Sequence, residues 1–225
     1  MLVLSGAAGL IYQVAWVRLL GLAFGVTVFA ISTVLAAFMA GLAIGSVVGG
    51  RRADAVQRPL RAYGLVELGV GLTALATPLA FRALQDVYAA TAQVVDPAQA
   101  PLFAGALRAV LAFALLLVPT TLMGATLPLA VRAARQVRVE TDATSGDARA
   151  MGVLYGVNTF GAIAGCLLSG FVLISKLGLV ETIGIAAACN VLAGVTAIVI
   201  PSAGWRAPRS GPSPIETRRN RPGHN

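Results

Sequence analysis

Charged residues are scarce in this sequence. Only 12% of its 225 residues are Asp, Glu, Lys or Arg, whereas 57% are hydrophobic, and the mean hydropathy is +0.82. Soluble domains carry about 25% charged residues, which cover much of their water-facing surface. Because this chain has about half that share, we expect lipid rather than water to surround most of it.

Histidine and cysteine are almost absent. The one histidine, His224, lies in a polar C-terminal stretch, which argues against histidine-based catalysis and zinc binding. The two cysteines, Cys166 and Cys189, lie inside apolar runs, so we expect free buried thiols rather than a disulfide or a metal site. Since no nucleophile, base or metal constellation is recognisable, we expect no cofactor and no enzymatic activity from this chain alone.

Long uncharged runs are abundant instead. A helix needs about 20 apolar residues to cross a bilayer about 30 Å thick, and barrel strands are shorter than these runs. The sequence therefore predicts an all-α polytopic membrane protein, with one bundle over residues 1–200. Its six predicted spans are 2–22, 27–49, 60–81, 104–131, 151–174 and 179–200.

The arginines predict the side of the membrane on which each loop lies. Cytoplasmic loops carry an excess of Lys and Arg, and the arginines concentrate in segments 50–61, 132–149 and 201–225. Six spans put all three segments on one side, so both termini are predicted to be cytoplasmic.

The net charge of +8 does not indicate a nucleic-acid partner. The basic residues are not interleaved with aromatic residues on a polar face, which nucleic-acid binding would require. Segment 201–225, rich in Pro, Gly, Ser and Arg, is predicted to be a disordered basic cytoplasmic tail.

Glycines recur every fourth residue in two spans. Such spacing puts small residues on one helix face and lets a neighbouring backbone approach closely. It predicts tight packing within the bundle, with a ligand groove as the alternative. The glycines are Gly41, Gly45 and Gly49 in the second span and Gly152, Gly156, Gly161 and Gly165 in the fifth. In the fourth span Pro119 and Pro128 predict a kinked or locally opened helix.

Polar residues at membrane depth are the candidate functional residues, because charges in lipid are costly and tend to be functional. At 1.5 Å per residue, Glu67 lies about 9 Å from the cytoplasmic end of its span and Asn158 about 10 Å from the start of its own. Thr126, Ser46 and Tyr155 are expected near that level, which allows a polar cluster. Glu67 is predicted either to bind a proton or a cationic ligand such as a polyamine, or to stabilise helix contacts by hydrogen bonding. Arg18 is expected to reach the outer surface beside Trp16 or to pair with an outer-loop acid.

Four stretches resemble a known family. They are "SGAAGLIYQVAWVRLLGLAFG", "STVLAAFMAGLAIGSVVGGRRAD", "LLLVPTTLMGATLPLAVR" and "GVLYGVNTFGAIAGCLLSGFVLISKLGL", which together cover most of residues 4–200. They resemble the membrane part of bacterial spermidine synthase-like proteins, also described as fused major-facilitator/spermidine synthase proteins. The resemblance implies a helix bundle like half of a major-facilitator fold, followed by a soluble aminopropyltransferase domain that transfers an aminopropyl group from decarboxylated S-adenosylmethionine to putrescine.

The chain departs from that family in two respects. It has no glycine-rich strand-to-helix turn with downstream acids for a nucleoside, so synthase activity is assigned to no residue here. Gln13, a further candidate for the intramembrane polar site, stands where the family usually has an acid.

The loop "GGRRADAVQRP" resembles the cytoplasmic signature between the second and third spans of major-facilitator transporters. Asp54 is predicted to cap a helix by accepting from its terminal amides, or to act as a latch by pairing with an arginine at the cytoplasmic mouth of the bundle. The arginines of this loop region are Arg51, Arg52 and Arg58.

Two functions follow as expectations. The first is an integral membrane module that anchors or partners a synthase-like soluble domain absent from this chain. The alternative is a small transporter-like protein that moves polyamines or other cations, with a second copy of itself as partner. Both imply a multi-pass protein of the bacterial cytoplasmic membrane.

Overall fold

The computed structural model describes residues 1–24, 28–92, 101–138 and 146–200, and every regular element in that part of the chain is helical. The all-α prediction is therefore confirmed for these residues, and the predicted tail, 201–225, lies outside them. The long helices are α1 (Leu2–Phe24), α2 (Val28–Ala53), α3 (Pro59–Leu75), α4 (Thr77–Ala92), α5 (Pro101–Arg138), α6 (Gly146–Leu168) and α8 (Leu179–Val199). A π-helical turn (Ser169–Leu173) and the short helix α7 (Ile174–Leu177) extend α6.

The third predicted span, 60–81, is not one straight helix. It breaks at Ala76, and α3 and α4 meet at an angle of 42°. Pro78 explains the break, because it lacks the amide that would donate to the carbonyl of Ala74 and disfavours helical geometry at the preceding residue. Five described helices are long and apolar enough to cross a membrane, and there are up to six spans if α3 and α4 form one bent span.

The fourth span is not opened at its prolines, contrary to one form of the prediction. Helix α5 runs without interruption past Pro119 and Pro128. Pro128 cannot donate to the carbonyl of Gly124, four residues earlier, and the Ser46 hydroxyl of α2 donates to this carbonyl at 3.1 Å instead. Side chains of this kind satisfy backbone carbonyls near a proline, which is how such helices persist in lipid.

Helix α2 packs on α5 through its glycine face. A Cβ added at Gly49 would lie 2.8 Å from Cα of Ala125, and one at Gly45 would lie 2.9 Å from Cα of Gly124. An added Cβ at Gly41 would overlap Thr120. Since these distances are shorter than any real Cβ contact, the two backbones touch only because residues 41, 45 and 49 are glycines.

Helix α1 packs on α6 in the same way. Cβ atoms added at Gly161 and Gly165 would lie 2.8 Å from Cα of Val3 and 2.7 Å from Cα of Ala7. Gly152 and Gly156, by contrast, have no atom within 4 Å of an added Cβ and are exposed. The predicted packing role is therefore wrong for this pair, because their face of α6 points away from α1.

Helix α3 packs on α8 through a single pair of glycines. A Cβ added at Gly64 would lie 2.6 Å from the carbonyl oxygen of Gly194, and one at Gly194 would lie 2.8 Å from that of Gly64.

These three contacts form a symmetric pattern. Residue numbers rise together along the contacts of α1 with α6 and of α2 with α5, so these pairs are parallel, whereas α3 and α8 are antiparallel. Exchanging α1, α2 and α3 for α5, α6 and α8, respectively, turns the first pair into the second and maps the third onto itself. This is the contact pattern of two inverted three-helix repeats.

The two cysteines are free, and their burial differs. Cys189 is half-buried, but Cys166 is exposed on α6, so its predicted burial is wrong. An apolar side chain that faces lipid loses no free energy relative to one inside a bundle. Apolar neighbours in the sequence therefore do not predict burial within this bundle.

Candidate functional site

The centre of the candidate site is the carboxyl group of Glu67, which has no exposed surface. Its Oε2 accepts a hydrogen bond of 2.6 Å from Nδ2 of Asn190 on α8. Oδ1 of Asn190 in turn accepts one of 2.9 Å from the hydroxyl of Tyr12 on α1. Three helices that are distant in sequence thus contribute one buried polar chain.

Glycines on α3 make room for these partners. Gly64, one turn before Glu67, brings α3 against α8, and a Cβ at Gly71, one turn after it, would lie 3.4 Å from Cβ of Asn190. The close approach of the two helices places a short amide side chain within hydrogen-bonding distance of the carboxyl.

The second oxygen of the carboxyl faces hydroxyl groups. The side chains of Ser5 and Tyr63 lie beside Glu67 and interact with it. Oε1 of Glu67 and the hydroxyl of Tyr63 are both buried, however, and have no hydrogen bond of standard geometry among the described residues. A hydroxyl is both donor and acceptor, so this side of the site suits a carboxylate as well as a carboxylic acid.

The polar chain continues to the break between α3 and α4. The rings of Tyr12 and Trp16 stack with centroids 5.5 Å apart. Nε1 of Trp16 donates to Oγ1 of Thr77 at 2.9 Å, and this hydroxyl donates to the carbonyl of Ala74 at 2.6 Å. The side chains of Tyr12, Trp16 and Thr77 are buried, so the path from Glu67 to the bend is closed to the surroundings.

No positive side chain neutralises Glu67. Among the described residues no Arg or Lys forms an ion pair with it, and the positive group that interacts with it is the amino group of Met1. The desolvation of an ionised carboxylate costs several kcal/mol unless it is paired. A group in this situation is suited to hold a proton or a cation.

The other predicted members of the cluster do not surround Glu67, and the predicted cluster is corrected on this point. Thr126 donates to the carbonyl of Met123 in its own helix at 2.7 Å, and Tyr155 is 62% exposed. Asn158 is half-buried on α6, where its backbone carbonyl lies against Gly6, and Gln13 is half-buried on α1. The depth of a residue in its span gives only its height, whereas a contact with Glu67 also depends on the direction in which each helix face points.

Two further polar residues are placed elsewhere. Ser46 donates to the carbonyl of Gly124 at 3.1 Å and so supports the contact of α2 with α5. Arg18 is exposed, but Trp16 is fully buried, so the expectation that both lie at the outer surface fails for the tryptophan.

Three residues lie beside Glu67, namely Asn190, Tyr63 and Ser5, and Tyr12 donates to Asn190. The sequence analysis singled out none of these four residues. Two signals were available. Asn190 is the one Asn or Gln in the sixth predicted span, and an unpaired amide in lipid is costly. Tyr63 precedes Glu67 by one helical turn, which puts both side chains on the same face.

The loop between α2 and α3 contacts the end of α5. A carboxylate oxygen of Asp54 lies 3.8 Å from Nε of Arg132, and Nε2 of Gln136 donates to the carbonyl of Gln57 at 3.5 Å. Arg58 occupies the N-cap of α3, which has no side-chain cap, so Asp54 forms the pair with an arginine and not the predicted cap there. Arg51, Arg52 and Arg58 are exposed.

Among the described residues no group of three or more His, Cys, Asp or Glu side chains could hold a metal ion. A comparison with models of protein families found no match, and comparisons with curated proteins and with solved structures found none either. The resemblance to spermidine synthase-like membrane proteins therefore stays a prediction.

Proposed function

We propose that this chain is the integral membrane module of a spermidine synthase-like protein and that it anchors or partners a soluble aminopropyltransferase-like domain. The observation that carries the proposal is the one-sided basic face of a compact bundle. Arg51, Arg52 and Arg58 are exposed at one end of α2 and α3, and the same end of α5 is joined to their loop by Asp54 and Arg132. An exposed basic face of this kind offers a docking surface for an acidic partner or for anionic lipid headgroups.

The contact pattern supports a bundle like half of a major-facilitator fold. In that fold each six-span half consists of two inverted three-helix repeats. The pairing of α1 with α6, α2 with α5 and α3 with α8 has the same symmetry.

Native co-purification tests the anchor function. We expect the full chain, extracted from its own membranes in mild detergent, to retain a protein of the aminopropyltransferase type. Charge reversal of Arg51 and Arg52 to Glu should reduce the retained amount several-fold. Charge reversal of Arg82, which is exposed on α4 at the other end of the bundle, is the matched control and should leave it unchanged. Retention that is indifferent to all of these changes would contradict the proposal.

A second candidate function is transport of polyamines or other cations, by a dimer of this chain. The specific observation in its favour is the buried carboxyl of Glu67 beside a bent third span, because broken helices and intramembrane acids occur together at transport sites.

Uptake into proteoliposomes tests this function. We expect labelled putrescine or spermidine to accumulate with the wild-type chain and Glu67→Gln to abolish accumulation. The same substitution at Glu181, which is exposed, should have no effect. Absence of uptake by the wild-type chain under all imposed gradients would exclude the transport proposal and leave the anchor proposal standing.

A further inference from the structure

We propose that Glu67 is a proton-binding site inside the bundle, and that its proton sets the orientation of the Asn190 amide and thereby the geometry of the break between α3 and α4. The site would operate in either function proposed above, and it requires no polyamine.

The closed surroundings of Glu67 favour a proton over a larger cation. Glu67 and Tyr12 have no exposed surface, and Tyr63 and Asn190 are 1% and 2% exposed. A polyamine or hydrated metal ion would have to displace these side chains, whereas a proton needs only an oxygen to bind and a partner for the new O–H group. When Oε2 takes the proton, Asn190 is the partner of the new O–H group, and Oε1 can accept from the hydroxyl of Tyr63. Oε1 and that hydroxyl have no hydrogen bond of standard geometry in the structure.

The side-chain amide of Asn190 can adopt two orientations. In the arrangement observed, its amide nitrogen donates to Oε2 of Glu67 and its oxygen accepts from the hydroxyl of Tyr12. A flip of the amide by half a turn exchanges donor and acceptor. A proton on Oε2 permits the flip, because the carboxyl then donates to the amide oxygen, whereas an ionised carboxylate forbids it, because two acceptors would face each other.

The flip is transmitted to the hydroxyl of Tyr12, which must change from donor to acceptor. Its ring stacks on Trp16, and the indole N–H of Trp16 holds Thr77, the first residue of α4. Each link is a direct contact between buried side chains, so a change at the carboxyl reaches the bend through a contiguous physical path.

Other titratable groups near the carboxyl are few. Those that interact with Glu67 are Tyr63 on α3, Tyr12 on α1 and the amino group of Met1, and Cys189 on α8 interacts with Tyr12. Helix α5, which also packs on α3, contributes none of them. Replacing Cys189 by Ala removes the thiol from any pH titration of the site.

Infrared difference spectroscopy on the full chain in lipid nanodiscs tests the proton site. We expect the C=O band of a buried carboxylic acid to disappear as the pH is raised, with slow exchange in D2O. Glu67→Gln should remove the band, and Glu181→Gln should leave it unchanged. A wild-type chain without a titrating buried carboxyl band would overturn the proposal.

Fluorescence of Trp16 tests the coupling. With Trp205→Phe and Cys189→Ala as background, Trp16 is the only tryptophan. We expect its emission to shift with pH at the same midpoint as the carboxyl band. Tyr12→Phe keeps the ring but removes the hydroxyl, so it should abolish the emission shift while the carboxyl band still titrates.

Two outcomes would overturn the coupling. One is an emission shift that persists in Tyr12→Phe, and the other is a wild-type emission that does not respond to pH. If Glu67→Gln fails to assemble, Tyr12→Phe and the wild-type titration still decide the question, because neither alters the carboxyl.

Discussion

Glu67 and Asn190 meet between α3 and α8, and each pairs a polar atom that would otherwise be buried without a partner. Leaving such an atom unpaired costs about 1–3 kcal/mol, whereas replacing both partners by apolar groups of similar shape is nearly neutral. The pair therefore disfavours helix arrangements that separate the two residues, but it adds little to the net stability of the bundle.

A double-mutant cycle measures this asymmetry. We expect Asn190→Leu to lower the free energy of unfolding in bicelles by about 1–3 kcal/mol, because Oε2 of Glu67 loses its donor. The double variant Glu67→Leu/Asn190→Leu should regain part of the loss, because the unpaired carboxyl is gone although the hydroxyl of Tyr12 still lacks its acceptor. Thr196→Val, an exposed change on the same helix, is the control and should have little effect. A double variant that loses the sum of the two single changes would show that the residues are not coupled.

The residue scale also shows where sequence reasoning stops. Glu67 is recognisable from the sequence as an acid deep in a span, because the alternation of charge and apolar runs gives its height. Its neighbours depend on the rotation of α1 and α8 about their axes, which height does not determine. Tyr155 and Asn158 were predicted near Glu67 by height alone. Tyr155 is exposed, and Asn158 is half-buried against Gly6 of α1, and neither forms a hydrogen bond with Glu67.

At the scale of the element, glycine decides which helices touch. The added Cβ at Gly45 would collide with backbone atoms of Thr121 and Gly124. Backbone atoms cannot move aside as the end of a flexible side chain can. Spacing alone did not reveal this difference, because Gly152 and Gly156 have the same spacing and contact nothing.

Alanine substitution separates the two kinds of glycine. We expect Gly45→Ala to destabilise the bundle by about 1–3 kcal/mol, the usual cost of overpacking. Gly156→Ala should be neutral or stabilise it by up to about 1 kcal/mol, because alanine favours helix and the site is open. Thermal unfolding in detergent, followed by size-exclusion chromatography, gives both values. Equal effects at the two positions would show that the contact of α2 with α5 is not specific.

On the scale of the whole molecule, the spans follow from composition, but the symmetry did not. The segments "GLAIGSVVGG" (41–50) and "GAIAGCLLSG" (161–170) share small residues at the first, fifth, ninth and tenth positions. Each lies on the second span of its three-helix set and faces the first span of the other set. A sequence repeat with so long a spacing and so few matching residues is recognised only when the contacts are known. The bend at Pro78 similarly shows that a count of apolar residues does not distinguish one bent span from two helices.

The helix directions predict which segments share a side of the membrane, and the arginines predict which side is the cytoplasm. Helix α1 is parallel to α6, and the loop after α2 is bonded to the end of α5. If α3 and α4 form one span, Gln57 must therefore lie on one side of the membrane, and Gln85 on α4 and Ser175 on α7 must lie on the other.

Thiol labelling tests this topology. In a background of Cys166→Ala and Cys189→Ala, we expect Gln57→Cys to resist an impermeant thiol reagent added to intact cells. Gln85→Cys and Ser175→Cys should react. Permeabilised cells, in which all three should react, are the control. Reaction of Gln57→Cys in intact cells would reverse the orientation that the arginines predict, and protection of Gln85→Cys alone would show that α3 and α4 do not form a single span.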